Sequence, residues 1–63
     1  MSIGENVREK RLLFGFTQEE LAEKLQVKQA FIANIERGAK IPSLYMALTL
    51  AEIFGCTVEE LAG

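Results

Sequence analysis

Apolar residues along this chain recur at helical spacing, and the breaks in that spacing are where turns belong. Between Gln18 and Arg37 one stripe is formed by Leu21, Ala22 and Leu25 and another by Phe31, Ile32 and Ile35, with Val27 between them. The stripe changes phase across Gln26 to Lys28, which one continuous helix cannot do while keeping its apolar face inward. A short turn between two helices is predicted there. Helix starts are marked by Ser2-x-x-Glu5, Thr17-x-x-Glu20 and Thr57-x-x-Glu60, each a capping box in which hydroxyl and carboxylate satisfy orphan backbone donors reciprocally. Gly15, Gly38 and Gly55 each follow an apolar stretch, where a left-handed residue closes a helix. Pro42 pushes Ile41 toward extended geometry, and Ser43 behind it can cap a further helix. The pattern predicts five helices at about 3–14, 18–25, 28–37, 43–54 and 58–62 and no strand, in one all-α domain spanning 1–63.

Two short helices joined by a three- or four-residue turn can cross steeply only where a small residue sits at the crossing. Ala22 stands there, and Leu21, Leu25, Val27, Ile32 and Ile35 close the angle from inside. The outer face of the second helix is then free to enter a DNA major groove, so residues 18–37 are predicted to form a helix-turn-helix unit.

In Thr17-Gln18-Glu19-Glu20-Leu21-Ala22-Glu23-Lys24-Leu25, in Ile32-x-x-Ile35-Glu36-Arg37-Gly38 and in Pro42-Ser43-Leu44 the chain resembles the phage repressor and Cro (Xre-like) family of DNA-binding domains. Each fragment alone is ordinary helix composition; all of them in order at this spacing make a specific signal. The resemblance implies a compact, lambda-repressor-like bundle of five helices with the third in the major groove. It further implies a homodimer on a near-palindromic operator, no cofactor, and a role in transcription regulation, as a repressor. Two positions depart from the pattern. The family turn carries glycine where Gln26 stands, and the residue before the third helix is a serine or threonine cap where Lys28 stands. Each departure costs about 1 kcal/mol of stability.

On the third helix, Gln29, Ala30, Ala33 and Asn34 lie opposite Ile32 and Ile35 and are the expected base contacts. Glutamine and asparagine amides can pair with adenine N6 and N7, and an alanine methyl can touch a thymine methyl, so A·T pairs are expected under this helix. The plain alternative is that Gln29 and Asn34 are solvated helix-surface residues. Gln18 resembles the family glutamine that binds a phosphate at a helix N-terminus. Lys28, Arg37 and Lys40 surround the same surface as further phosphate ligands. Lys24 is expected to pair with Glu20 at i,i+4 instead. Arg11 and Glu36 match the family's internal ion pair, a structural role.

The chain has 49% hydrophobic residues and mixed charge, which is the composition of a folded domain rather than of a disordered one. Its formal net charge of −2, from 7 Lys and Arg against 9 Asp and Glu, runs against the usual basic footprint of nucleic-acid binders. Phosphate contacts are local, however, so the cations around the third helix weigh more than the total. Enzyme chemistry finds no footing: there is no His, no metal-ligand cluster, no glycine-rich phosphate loop, and nothing to activate Cys56 as a nucleophile. The single cysteine cannot form an internal disulfide, and no apolar run approaches the roughly 20 residues of a membrane span. A cytoplasmic location is expected. Tyr45, Met46, Ile53, Val58 and Leu61 are more apolar surface than so short a chain hides easily. The resemblance puts the dimer interface at Ile53, Cys56, Val58 and Leu61. A second reading, resting on the acidic balance and the irregular turn, is a protein-interaction module that keeps the fold, such as an antitoxin-like partner or an anti-regulator.

Overall fold

The computed structural model describes residues 2–63, and every regular element among them is a helix: α1 (Ile3–Leu13), α2 (Gln18–Leu25), α3 (Gln29–Glu36), α4 (Leu44–Phe54) and α5 (Val58–Ala62). The predicted elements are all present. Phe14 and Arg37, expected as the last residues of helices, are C-caps instead, while Lys28 and Ser43 stand at the N-cap positions expected of them. At such ends the backbone is only half helical.

All three capping boxes form. Ser2 Oγ accepts from Glu5 N–H while Ser2 N–H donates to Glu5, and the same reciprocal pair links Thr17 with Glu20 and Thr57 with Glu60. Ser43 caps α4 by accepting from Met46 N–H. Helices α1 to α4 then end in one shared way. A left-handed residue donates three positions back, and its successor donates five positions back, to a carbonyl of the last turn. This is the Schellman arrangement. The left-handed residues are Gly15, Gln26, Gly38 and Gly55.

Val7, Leu21, Ile32, Ile35, Leu50 and Leu61 are completely enclosed, with Ala22, Ala51 and Phe54 beside them, so all five helices contribute to one core. Leu61 was expected at a dimer interface, and that expectation is corrected: at 0% exposure its side chain is held inside its own chain. The short α5 has no other apolar residue to bury fully, and the Asn6 amide donates to the Leu61 carbonyl at 2.8 Å, fastening α5 to α1.

Gly4 sits inside α1, where glycine is a poor helix former. The reason is the approach of α3. A Cβ at Gly4 would lie far inside contact distance of the Ile35 carbonyl oxygen and 3.2 Å from that of Glu36. The absent side chain therefore sets how close the end of α3 comes to α1.

Candidate nucleic-acid interface

The angle between α2 and α3 is made by three residues. Gln26 adopts φ 58° and ψ 43°, and its N–H and that of Val27 satisfy the last carbonyls of α2 at Glu23 and Ala22. Val27 turns inward to pack on the core. Lys28 is extended and begins α3 with no side-chain cap, leaving its ammonium in solvent.

Of the four expected base contacts, Gln29 and Ala30 are exposed, while Ala33 and Asn34 are half-buried. Ile32 and Ile35 are fully enclosed on the opposite face, so α3 shows an amide-bearing surface outward over an apolar floor. Asn34 is less free than its position on the helix suggests. Its side-chain oxygen accepts from Arg37 Nη2, and its carbonyl accepts from Ala39 and Lys40 N–H, fixing the loop after α3. Its Nδ2 donates to no group of the protein among the described residues and is the part of the amide open to a base, while Oδ1 is shared with Arg37.

Lys28, Arg37 and Lys40 are all exposed and lie at the two ends of α3. Lys40 Nζ stands 5.5 Å from the centre of the Phe31 ring, a cation–π contact that orders the side chain without neutralising it. Lys24 does not pair with Glu20 as expected. Its Nζ lies 5.0 Å from the centre of the Phe16 ring, and the Glu20 carboxylate is turned back to accept from Thr17 N–H.

Behind this surface, Arg11 holds Glu36 through Nε–Oε2 at 2.6 Å and Nη2–Oε1 at 3.1 Å, and its Nη1 donates to the Phe16 carbonyl at 2.9 Å. The two side chains are only 10% and 4% exposed, so the guanidinium ties α1, the α1–α2 turn and the end of α3 together within the protein. Gln18 joins this group. Its Nε2 donates to Glu36 Oε1 at 3.1 Å, and its Oε1 accepts from Gln29 Nε2 at 2.9 Å. The glutamine expected on a phosphate is thus engaged on two sides, with one Nε2 hydrogen left to give. Residue spacing alone showed neither this link nor the roles of Gly4 and Asn6. A glycine inside a helical stretch was the one signal in the sequence that pointed to Gly4.

Residues 7–61 match the family model described as helix-turn-helix. The chain belongs to the helix-turn-helix family. A helix-turn-helix-type transcriptional regulator of Archaeoglobus fulgidus is 42% identical over 55 residues, 87% of this chain and 79% of that protein. The regulator YgzD of Bacillus subtilis is 39% identical over 54 residues, 86% of this chain and 82% of its own. In three dimensions this helix-turn-helix protein superposes on SinR, the master regulator for biofilm formation solved in complex with DNA. The TM-score is 0.87 with 27% identity, covering 97% of this chain and 98% of that one. It also superposes on the restriction-modification controller protein C.AhdI of Aeromonas hydrophila, with a TM-score of 0.84 and 32% identity over 94% of this chain and 89% of the other. These likenesses agree with the five-helix, lambda-repressor-like architecture. No helix of the described residues is long and apolar enough to cross a membrane.

The apolar surface of this helix-turn-helix protein is not distributed as the sequence suggested. Ile53, Cys56 and Val58 are half-buried and pack on the core. The large exposed apolar residues are Ile41, Leu44, Tyr45 and Leu48, around the start of α4, and Leu12, Leu13 and Phe14, at the end of α1.

Proposed function

We propose that this chain is a sequence-specific, double-stranded DNA-binding transcriptional regulator, acting as a repressor in the cytoplasm and not as an enzyme. Residues 18–37 are its reading unit within a single domain. The observation that carries this is the outward face of α3, where exposed Gln29 and Ala30 stand between cations at either end. In this reading Gln29, Ala30, Ala33 and Asn34 meet base edges, and Gln18, Lys28, Arg37 and Lys40 meet phosphates. The protein binds as a homodimer, each copy placing α3 in one half-site of a near-palindrome about one helical turn, roughly 34 Å, from the other. The exposed Ile41, Leu44, Tyr45 and Leu48, with the partly exposed Ile53, Cys56 and Val58, supply the apolar surface for the two-fold contact.

Selection of bound duplexes from a random pool tests this directly. Gln29→Ala is expected to change base preference. Lys28→Ala and Lys40→Ala are expected to weaken every duplex alike and to flatten the salt dependence of log K by about one unit each. Sizing of Tyr45→Glu and Val58→Glu, with and without the best duplex, separates the two parts of the dimer surface. Absence of salt-dependent duplex binding, or base preference unmoved by both Gln29→Ala and Asn34→Ala, would refute the reading.

A further inference from the structure

A glutamine amide can present its oxygen and nitrogen in either order, and the two orders read different base edges. Guanine offers acceptors at both N7 and O6, whereas adenine offers an acceptor at N7 and a donor at N6. An amide locked with its NH2 toward N7 and its oxygen toward the sixth position therefore accepts adenine and repels guanine. A freely turning amide can meet guanine by its NH2 alone. Discrimination by Gln29 thus depends on what holds its amide in one order.

The buried charge behind α3 supplies that hold. The Glu36 carboxylate can only accept hydrogen bonds, and both of its oxygens already accept from Arg11. Gln18 can approach Glu36 Oε1 only with its NH2, as it does at 3.1 Å. Its oxygen must then face the other way, toward Gln29, and an oxygen there can only accept. Gln29 is consequently obliged to offer its own NH2, at 2.9 Å, which leaves one Nε2 hydrogen and Oε1 for the open face. Turning the Gln29 amide over would place two oxygens against each other, or turn Gln18 oxygen-first onto a carboxylate.

We propose that Glu36 is a specificity-positioning residue: through Gln18 its carboxylate fixes the order in which the Gln29 amide presents acceptor and donor, and so its preference for adenine over guanine. This rests on the reading that Gln29 faces the bases. Arg11 holds the carboxylate in place, and Glu36 touches no base itself.

The test uses the full chain and the duplex selected from a random pool, with A·T replaced by G·C at the pair most sensitive to Gln29→Ala. The readout is the ratio of the two affinities, which a lost phosphate contact or a partly unfolded fraction lowers equally in numerator and denominator. Gln18→Ala, which leaves the Arg11–Glu36 pair intact, is expected to lower the adenine-over-guanine ratio about five- to tenfold. Glu36→Gln is expected to do the same, because an amide at that position can donate as well as accept. The combined Gln18→Glu and Glu36→Gln variant restores an acceptor-only group beside Gln29 and is expected to recover most of the ratio. A ratio within about twofold of the parent in Gln18→Ala would overturn the proposal whether or not Glu36→Gln folds. If Gln29→Ala moved the preference at no base pair, the underlying reading of Gln29 would fail first and the proposal with it.

Discussion

Replacing Gly4 by alanine reverses an ordinary expectation, which makes the change diagnostic. Within a helix, glycine to alanine normally stabilises by about 1 kcal/mol, since alanine loses less backbone entropy on folding. At Gly4 the added methyl meets backbone. The Ile35 carbonyl oxygen stands well inside contact distance, and the Ile35 carbonyl carbon and the Glu36 oxygen both lie at 3.2 Å. Backbone cannot turn aside as a flexible side chain does, so α1 and α3 must separate, and overpacking of this kind costs about 1–3 kcal/mol or more. The end of α3 is also pinned by the Arg11–Glu36 pair, which puts the cost at the upper part of that range. A net loss of about 2 kcal/mol remains after the helix-propensity gain. A domain of this size has about 3–9 kcal/mol in total. Thermal unfolding followed by circular dichroism should show Tm falling by on the order of 10 °C. Glu9→Ala, at an exposed position of the same helix, should stay within about 0.5 kcal/mol of the parent. An unchanged or raised Tm for Gly4→Ala would refute the close approach as the reason for the glycine.

Arg11→Ala strands the Glu36 carboxylate among buried groups and is expected to cost about 3–5 kcal/mol; a loss below about 1 kcal/mol in urea unfolding would show that solvent reaches the pair. Gln26→Gly removes the side-chain strain of the left-handed turn and should raise stability by about 1 kcal/mol; an unchanged or lowered Tm in thermal melting would contradict a strained turn. Lys28→Ser supplies the missing cap of α3 and is expected to raise Tm while weakening binding to every duplex, the two effects being read by thermal melting and titration. The carboxyls of Glu5 and Glu60 are held below their ordinary range, first by the backbone N–H and then by the hydroxyl of Ser2 and Thr57 respectively. Their folded-state values lie below their unfolded ones, so their contribution is present above the ordinary carboxylate range and is lost as pH falls through the depressed values. The combined Glu5→Gln and Glu60→Gln variant should lose less stability than the parent over that acidic window, and parallel pH profiles would contradict the assignment.

The helices were legible because their ends are written in local chemistry. Ser2, Thr17, Ser43 and Thr57 cap, and Gly15, Gly38 and Gly55 close, through contacts within a few residues of one another. Helical spacing likewise located Leu21, Ile32 and Ile35 in the core and Gln29 outside it. What spacing could not supply were contacts between residues far apart in the chain. Leu61 shares an apolar character with Val58, and only the three-dimensional packing decides that the first is enclosed and the second half-open. Lys24 has an acid one turn away, yet in the folded chain its ammonium lies over the Phe16 ring while that acid bonds Thr17. The hydrogen bond from Asn6 to the Leu61 carbonyl spans 55 positions, and no pattern in the sequence marks it. Gln18 was placed by resemblance on a phosphate, but its two internal partners come from α3 and become visible only once α2 and α3 are packed.

The exceptions to local rules are not scattered. Four helices close on a left-handed residue, and the one that is not glycine is Gln26; five helices have an N-cap, and the one without a side-chain bond is Lys28. Both fall in the turn that leads into α3. A sequence required only to fold would place glycine and serine there and gain about 2 kcal/mol, a large fraction of what so short a chain can hold. The same turn aims α3 and carries an exposed ammonium beside Gln29. Local stability and charge placement make opposite demands on position 28, because the hydroxyl that best satisfies the helix end has no charge to offer a phosphate. That is why substitutions here should separate stability from binding. Substitutions at Gly4 or Arg11, which act on the frame behind the surface, should lower both together.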